Sequence, residues 1–289
     1  MTLQLKSKNT SIFINRDIVI ATKHKKEQVI SPLLKKGLMV NCIVPKDFDT
    51  DVFGTFSGEV EREVSPVEAA RLKCLKAIEM SGCDLAIASE GSFGTHPSIF
   101  FAHADSEIVM LVDKKNNLEI WAYEISTKTN FDGAEMNSFD ELLTFAKAAK
   151  FPSHGLILRK SKDEVEDIFK GITLRKDLKK HFNYLFEKYG KVYVETDMRA
   201  MYNPTRMKVI KSATINLIQK INCLCPACNA PGFSVTKAMP GLPCSDCGMP
   251  TRSTLTHIYE CKLCKHKIEK HYPNGLFKEE PTFCDFCNP

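Results

Sequence analysis

Apolar positions in the first 220 residues fall into short runs separated by stretches of helical period. Ile18–Ala21, IVIA, is a short continuous run, the pattern of a strand buried on both faces. Residues 27–36 read as a helix and 39–45 (MVNCIVP) as the next strand. In 66–80, Val67, Ala70, Leu75 and Ile78 recur at about the helical period, and Ser65 with Glu68 three residues later has the form of a capping box. Residues 84–89 (DLAIAS), 107–113 (EIVMLVD) and 118–126 (LEIWAYEIS) read as strands, and 140–150 as a helix. A strand at 155–160, a helix at 176–189, a strand at 191–197 and a long helix at 205–221 complete the pattern. Strands alternating with helices predict an α/β domain over 1–220, a mixed sheet flanked by helices. Its ligand crevice is expected beyond the carboxyl ends of the parallel strands.

From residue 221 to 289 the periodicity gives way to cysteine. Nine of the 12 cysteines lie here, eight of them as four CxxC pairs: Cys225/Cys228, Cys244/Cys247, Cys261/Cys264 and Cys284/Cys287. A CxxC turn aims two thiolates at one ion, and two turns complete a closed, structural Cys₄ shell for Zn²⁺. The gaps of 15 residues (229–243) and 19 residues (265–283) each suit a hairpin with one pair at either end. Two consecutive zinc ribbons with sequential pairing are therefore expected, with first-to-third and second-to-fourth pairing as the alternative. Cys223 is left over and reads as a free thiol. In a chain expected to be cytoplasmic, such clustering of thiols favours metal over disulfides. The N-terminal stretch shows no secretory pattern, and no apolar run approaches the roughly 20 residues of a membrane span.

Charge narrows the partners. The net charge is +5, and from residue 221 onward seven Lys/Arg face six Asp/Glu. Eight thiolates and two Zn²⁺ make that module negative. Its expected role is to staple the chain or dock a protein partner, with nucleic acid left open rather than argued for.

Polar residues collect where the strands of 1–220 are expected to end. Thr22, Lys23, His24, Lys25 and Lys26 follow the first strand just where a helix begins, and Ser89, Glu90 and Gly91 follow DLAIA. Asp197 and Arg199 follow KVYVE, and Asn203, Thr205 and Arg206 open the last helix. Helix-start N–H groups with Lys23, Lys26, Arg199 and Arg206 suit a phosphate. Glu90 amid these cations suits a divalent ion held against phosphate oxygens. Plainer roles stand beside these. Glu68 suits a capping box, Asp197 with Arg199 a structural bridge, Asn203 an N-cap, and Gly91 and Gly94 tight turns at positive φ.

EAARLKCLKA (68–77) followed by DLAIASEGSFG (84–94) resembles the signature of the inosine triphosphate pyrophosphatase superfamily. ATKHKKEQV (21–29), AIASEG (86–91) and NPTRMKVIKSA (203–213) are similar to elements of its inosine/xanthosine triphosphate branch. Two positions depart: Lys23-His24-Lys25 stands where that branch has asparagine, and Ser89 where a second acid is expected. The layout also resembles a family of uncharacterised bacterial proteins, with FGTFSGEVER, ASEGSFG, ETDMRA, NPTRM, GLPC and a terminal CNP.

The pyrophosphatase resemblance implies a pyrophosphatase-like fold and a metal-dependent nucleoside triphosphate pyrophosphatase-like hydrolase, acting on non-standard purine nucleotides. Glu90 and Glu68 would hold Mg²⁺ or Mn²⁺, and Glu90 or Asp113 would activate water. Thr22, Lys23, Lys26, Lys73, Arg199, Thr205 and Arg206 would bind or stabilise the triphosphate. The alternative is a non-catalytic nucleotide- or RNA-binding protein whose ribbons dock a partner.

Overall fold

A computed structural model describes residues 12–45 and 64–289. The FGTFSGEVER motif (53–62) and the first eleven residues of the N-terminal stretch lie outside the described residues. The chain divides into two compact units, one comprising Ser11–Ile218 and the other including Gln219–Pro289.

In the first unit, β1 (Asp17–Ala21) runs parallel to β2 (Asn41–Ile43) and to β3 (Leu85–Thr95). β4 (His103–Asp113) and β5 (Leu118–Ser126) continue the sheet antiparallel, in the order β2-β1-β3-β4-β5. This is the mixed sheet that the alternating pattern predicts. Helix α1 (Glu27–Leu38) joins β1 to β2, and α2 (Pro66–Ser81) leads into β3. Ser65 Oγ accepts the Glu68 N–H at 3.3 Å to start α2, and Gly82 at φ 71° ends it. Small residues let α2 lie close on one face of the sheet. Ala70, Cys74 and Ala77 pack on Ala86, Ala88 and Val112, all but excluded from water. On the other face, α1 approaches α5 (Pro204–Ile221) so closely that a side chain at Gly37 would lie 2.7 Å from Ile218. Each fully buried aliphatic side chain contributes roughly 1.5–3 kcal/mol.

The remaining strands of this unit form a second, wholly antiparallel sheet rather than extending the first. β6 (Gly133–Met136), β7 (Leu156–Arg159), β8 (Phe169–Ile172) and β9 (Val192–Thr196) lie in the order β6-β9-β7-β8. Helices α3 (Phe139–Ala148) and α4 (Arg175–Tyr189) share a core with it through Leu142, Leu178, Phe182 and Leu185.

Two corrections concern β3. It runs on through Glu90 to Thr95 instead of ending at Ser89. Gly91 and Gly94 are therefore strand residues, and neither adopts positive φ. Gly91 serves close approach instead: a Cβ there would collide with the side chains of Glu107 and Arg206.

In the second unit β10 (Ser234–Pro240), β11 (Thr254–Glu260) and β12 (Lys267–His271) form an antiparallel sheet in that order. The sequential pairing of cysteines is overturned here. Cys225, Cys228, Cys261 and Cys264 converge in one cluster, and Cys244, Cys247, Cys284 and Cys287 in the other. A single strand, not a hairpin, fills the gap between the first two pairs. β10 spans about 23 Å at the usual rise, so the pairs flanking it cannot meet. β11 then returns antiparallel, with Ser234 opposite Glu260, and brings the third pair beside the first.

Candidate functional site

The two cysteine clusters have the dimensions of closed metal sites. Sγ–Sγ separations are 3.6 Å for Cys225–Cys264, 3.7 Å for Cys228–Cys261, 3.9 Å for Cys244–Cys287 and 3.6 Å for Cys247–Cys284. Four sulfurs about 2.3 Å from a tetrahedral ion lie about 3.8 Å apart. Each cluster is thus able to hold a metal ion and is compatible with structural zinc. Backbone N–H groups of the knuckles point at the inner sulfurs, as from Asp246 to Cys244 and Cys264 to Cys261. Cys223 is exposed and belongs to neither cluster.

A cavity of about 630 Å³ in the first unit opens beyond the carboxyl end of β1. The last β1–β3 pair is Ala21 with Ala88, so Ser89 onward leaves the β1 side of β3 open. Thr22 to Lys26 turn across this opening into α1. His24 (φ 66°) and Lys25 (φ 61°) are both left-handed there. Such a conformation costs a non-glycine residue roughly 1–2 kcal/mol, a kind of strain that concentrates at ligand sites. Lys26 occupies the N-cap position of α1, which has no side-chain cap.

Lys26 and Lys73 reach the cavity from two helices on opposite faces of the sheet. Lys73, on α2, pairs with Glu90, and both are buried. Lys26 is 7% exposed and donates to Ser89 Oγ at 3.1 Å and to Ser89 O at 3.4 Å, both neutral acceptors. Burial first, then the nearby Arg206 cation, pushes its ammonium down to about 8. The opposite wall comes from the second sheet. Asp197 at the end of β9 is fully buried, accepts the Gly171 and Arg199 N–H groups at 3.0 Å, and grips the Arg199 guanidinium. Arg199 therefore lines the cavity while bonded to Asp197, the bridge expected of the pair. Six Lys/Arg line the cavity against four carboxylates. One of those four, Glu195, pairs with Arg159.

Of the residues singled out in the sequence, Thr22, Lys23, Lys26, Lys73, Glu90 and Arg199 line this cavity. Four lie elsewhere. Glu68 sits at the outer start of α2, half-exposed, 3.4 Å from Arg71. Asp113 ends β4 opposite Leu85, at the other end of the sheet from Glu90. Burial opposes its ionisation, but Arg16 at 2.6 Å and Asn116 hold its carboxyl below the usual range. Thr205 contacts His154 Nε2 at 2.9 Å and borders a separate, shallower cavity. Arg206 is fully buried behind the cavity, with its Nε 2.5 Å from Glu107 and its N–H on the Asn203 cap.

Glu107 and Asp105 were not singled out. Both are fully buried on β4, and burial, then Glu107, pushes the Asp105 carboxyl up to about 8. Their signal is legible in HADSEIVMLVD: two acids fall in phase with Val109 and Leu111, on an inward face.

A family model described as a domain of unknown function, DUF6671, matches residues 73–289. No curated protein matches the sequence. Among solved structures, protein VC0702 from Vibrio cholerae is similar at 10% identity and TM-score 0.30, over 71% of this chain and 94% of that one. Lipoprotein GNA1162 from Neisseria meningitidis is similar at 18% identity and TM-score 0.19, over 47% and 95%. At these scores neither likeness carries an argument about fold or activity. The comparisons do not show the inosine triphosphate pyrophosphatase likeness. Among the described residues, no helix is long and apolar enough to cross a membrane.

Proposed function

The chain belongs to the DUF6671 family, a domain of unknown function, and we propose that its cavity binds the phosphate chain of a nucleotide or similar small molecule. Lys26 carries this reading. It is a buried cation facing a cavity, hydrogen-bonded among the described residues to the neutral oxygens of Ser89. The Arg206 and Lys73 cations lie near it, as do the Glu107 and Glu90 carboxylates, each engaged by its own cation. A buried charge needs a counter-charge, and a phosphate oxygen supplies one. The strained turn and the uncapped start of α1 support the same end of the cavity as the anion's seat. Isothermal titration with inorganic triphosphate tests it: wild type binds, and Lys26→Met loses at least tenfold in affinity. Equal affinity for the two proteins overturns it.

Hydrolysis to a nucleoside monophosphate and pyrophosphate is the second reading, favoured by the buried Glu90–Lys73 pair beside the lysines. Its Mg²⁺ or Mn²⁺ finds a poor donor set. Of the four carboxylates that line the cavity, Glu90, Glu195 and Asp197 are engaged by Lys73, Arg159 and Arg199, which leaves Asp132 as a single donor for a divalent ion. No step is therefore derived through a divalent ion, and binding without turnover is the better-supported form. Pyrophosphate release by wild type that disappears in Glu90→Gln favours hydrolysis instead.

For the second unit the proposal is zinc in both clusters, with a protein partner docked on the net-negative module. Reduced thiolates in such sites suit a cytoplasmic setting.

A further inference from the structure

Resting on the phosphate-chain reading, we infer that the other end of the same cavity is a ring-binding subsite centred on Phe131, so that the ligand is a phosphate ester of a planar heteroaromatic compound. Phe93 stacks on Phe131 with centroids 5.7 Å apart and an interplanar angle of 27°. His103 meets the Phe131 ring edge-on at 5.4 Å, and its Nδ1 lies 2.9 Å from Phe131 O. The Phe131 N–H is held by Thr129 Oγ1 at 3.1 Å. Phe93 is itself covered by the Arg206 guanidinium, 5.0 Å from its ring centre. Phe131 is thus stacked by Phe93 and its backbone fixed from both sides, and the ring so held lines the cavity. A platform fixed before binding loses little entropy on binding.

The facing wall is shaped for the same purpose. Tyr193 on β9 lies across Gly133, where a Cβ would come within 2.6 Å of the tyrosine hydroxyl. Only a glycine lets that ring lie over β6, and both residues line the cavity. Asp132 beside Phe131, with Lys170 from β8, gives the ring's edge both acceptors and donors. Phe93 lies three residues beyond Glu90 on β3, about 10 Å along the strand. That spacing separates a charged end from an aromatic end within one ligand. A phosphate chain alone leaves the aromatic half of the 630 Å³ empty.

The test compares inorganic triphosphate with adenosine, inosine and uridine triphosphates by calorimetric titration of the full, zinc-loaded chain and of Phe131→Leu. Leucine keeps the apolar bulk and removes the π face. The expected result is that wild type binds at least one of the nucleotides about tenfold or more tighter than inorganic triphosphate, the range stacking on one aromatic side chain provides. Phe131→Leu should erase that preference while its affinity for inorganic triphosphate stays at the wild-type value, which also reports that the variant is folded. Nucleotides that bind wild type no tighter than inorganic triphosphate overturn the ring subsite and leave the phosphate reading standing. A Phe131→Leu variant that keeps the nucleotide preference overturns it too. Failure of inorganic triphosphate itself to bind removes the phosphate reading and this inference with it.

Discussion

Replacing Lys26 by methionine tests the anion site through stability, before any ligand is identified. A lysine in the unfolded chain titrates near 10.5, whereas Lys26 in the fold titrates near 8. At about 1.4 kcal/mol per unit, keeping this ammonium charged at neutral pH costs on the order of 3 kcal/mol. Methionine keeps most of the apolar stem and drops the charge. It also removes the hydrogen bonds to Ser89, a loss of roughly 2 kcal/mol for a charged donor. The ligand-free variant should therefore be more stable than wild type by about 1 kcal/mol, or roughly 2–4 °C in Tm for a unit of this size. The pH dependence has a fixed sign. Between about 8 and 10.5 the unfolded chain holds a proton that the folded chain has released. Wild-type stability thus rises with pH through that window relative to Lys26→Met, and the cost is fully present below it. Differential scanning calorimetry of both proteins from pH 7 to pH 10 measures the gap. A variant less stable than wild type at pH 7, with a gap unchanged at pH 10, would refute the assignment of Lys26 as a cation awaiting its counter-ion.

Other residues give independent outcomes. Gly91→Ala drives a methyl group into the Glu107 and Arg206 side chains, and overpacking of this kind costs about 1–3 kcal/mol in urea unfolding. Arg206→Met leaves Glu107 buried without its guanidinium, with an expected loss of about 3–5 kcal/mol. That loss should appear in the unfolding free energy far more than in triphosphate affinity, because Arg206 lies behind the cavity. The crossed metal pairing is counted directly by native mass spectrometry. The double variant Cys225→Ser/Cys261→Ser should lose one zinc and keep the other, since both residues belong to one cluster. Loss of both ions would restore the sequential pairing.

The legible parts of the fold are those with local causes. IVIA, the Ser65 cap and the alternation in LEIWAYEIS each fix their element without help from distant residues. β6 and β8 escape such reading because GAEM and FKGI are four residues long, carry glycine, and become strands only through β9 and β7. The cysteines of the two clusters are legible from CxxC spacing as residues able to hold a metal ion. Their pairing is not, because it depends on whether the chain between two pairs makes a hairpin or a single strand. The cavity is half legible. Lysines at a strand end flag themselves as Lys23 and Lys26 do, and a lone acid beside glycine flags Glu90. Glu68, Asp113, Thr205 and Arg206 share the same chemistry in sequence. Only the sheet's direction and the depth of α5 decide that none of them lines the cavity.

The most direct measurement is calorimetric titration of the zinc-loaded chain with inorganic triphosphate at pH 7 and pH 9, in buffers of different ionisation enthalpy. If the cavity holds the phosphate chain on Lys26, triphosphate binds with net proton uptake at pH 9. Affinity is then lower at pH 9 than at pH 7, by up to about tenfold per unit above 8, and the uptake is absent in Lys26→Met. No binding heat at either pH, from folded protein, would contradict the proposal that this cavity is a phosphate site.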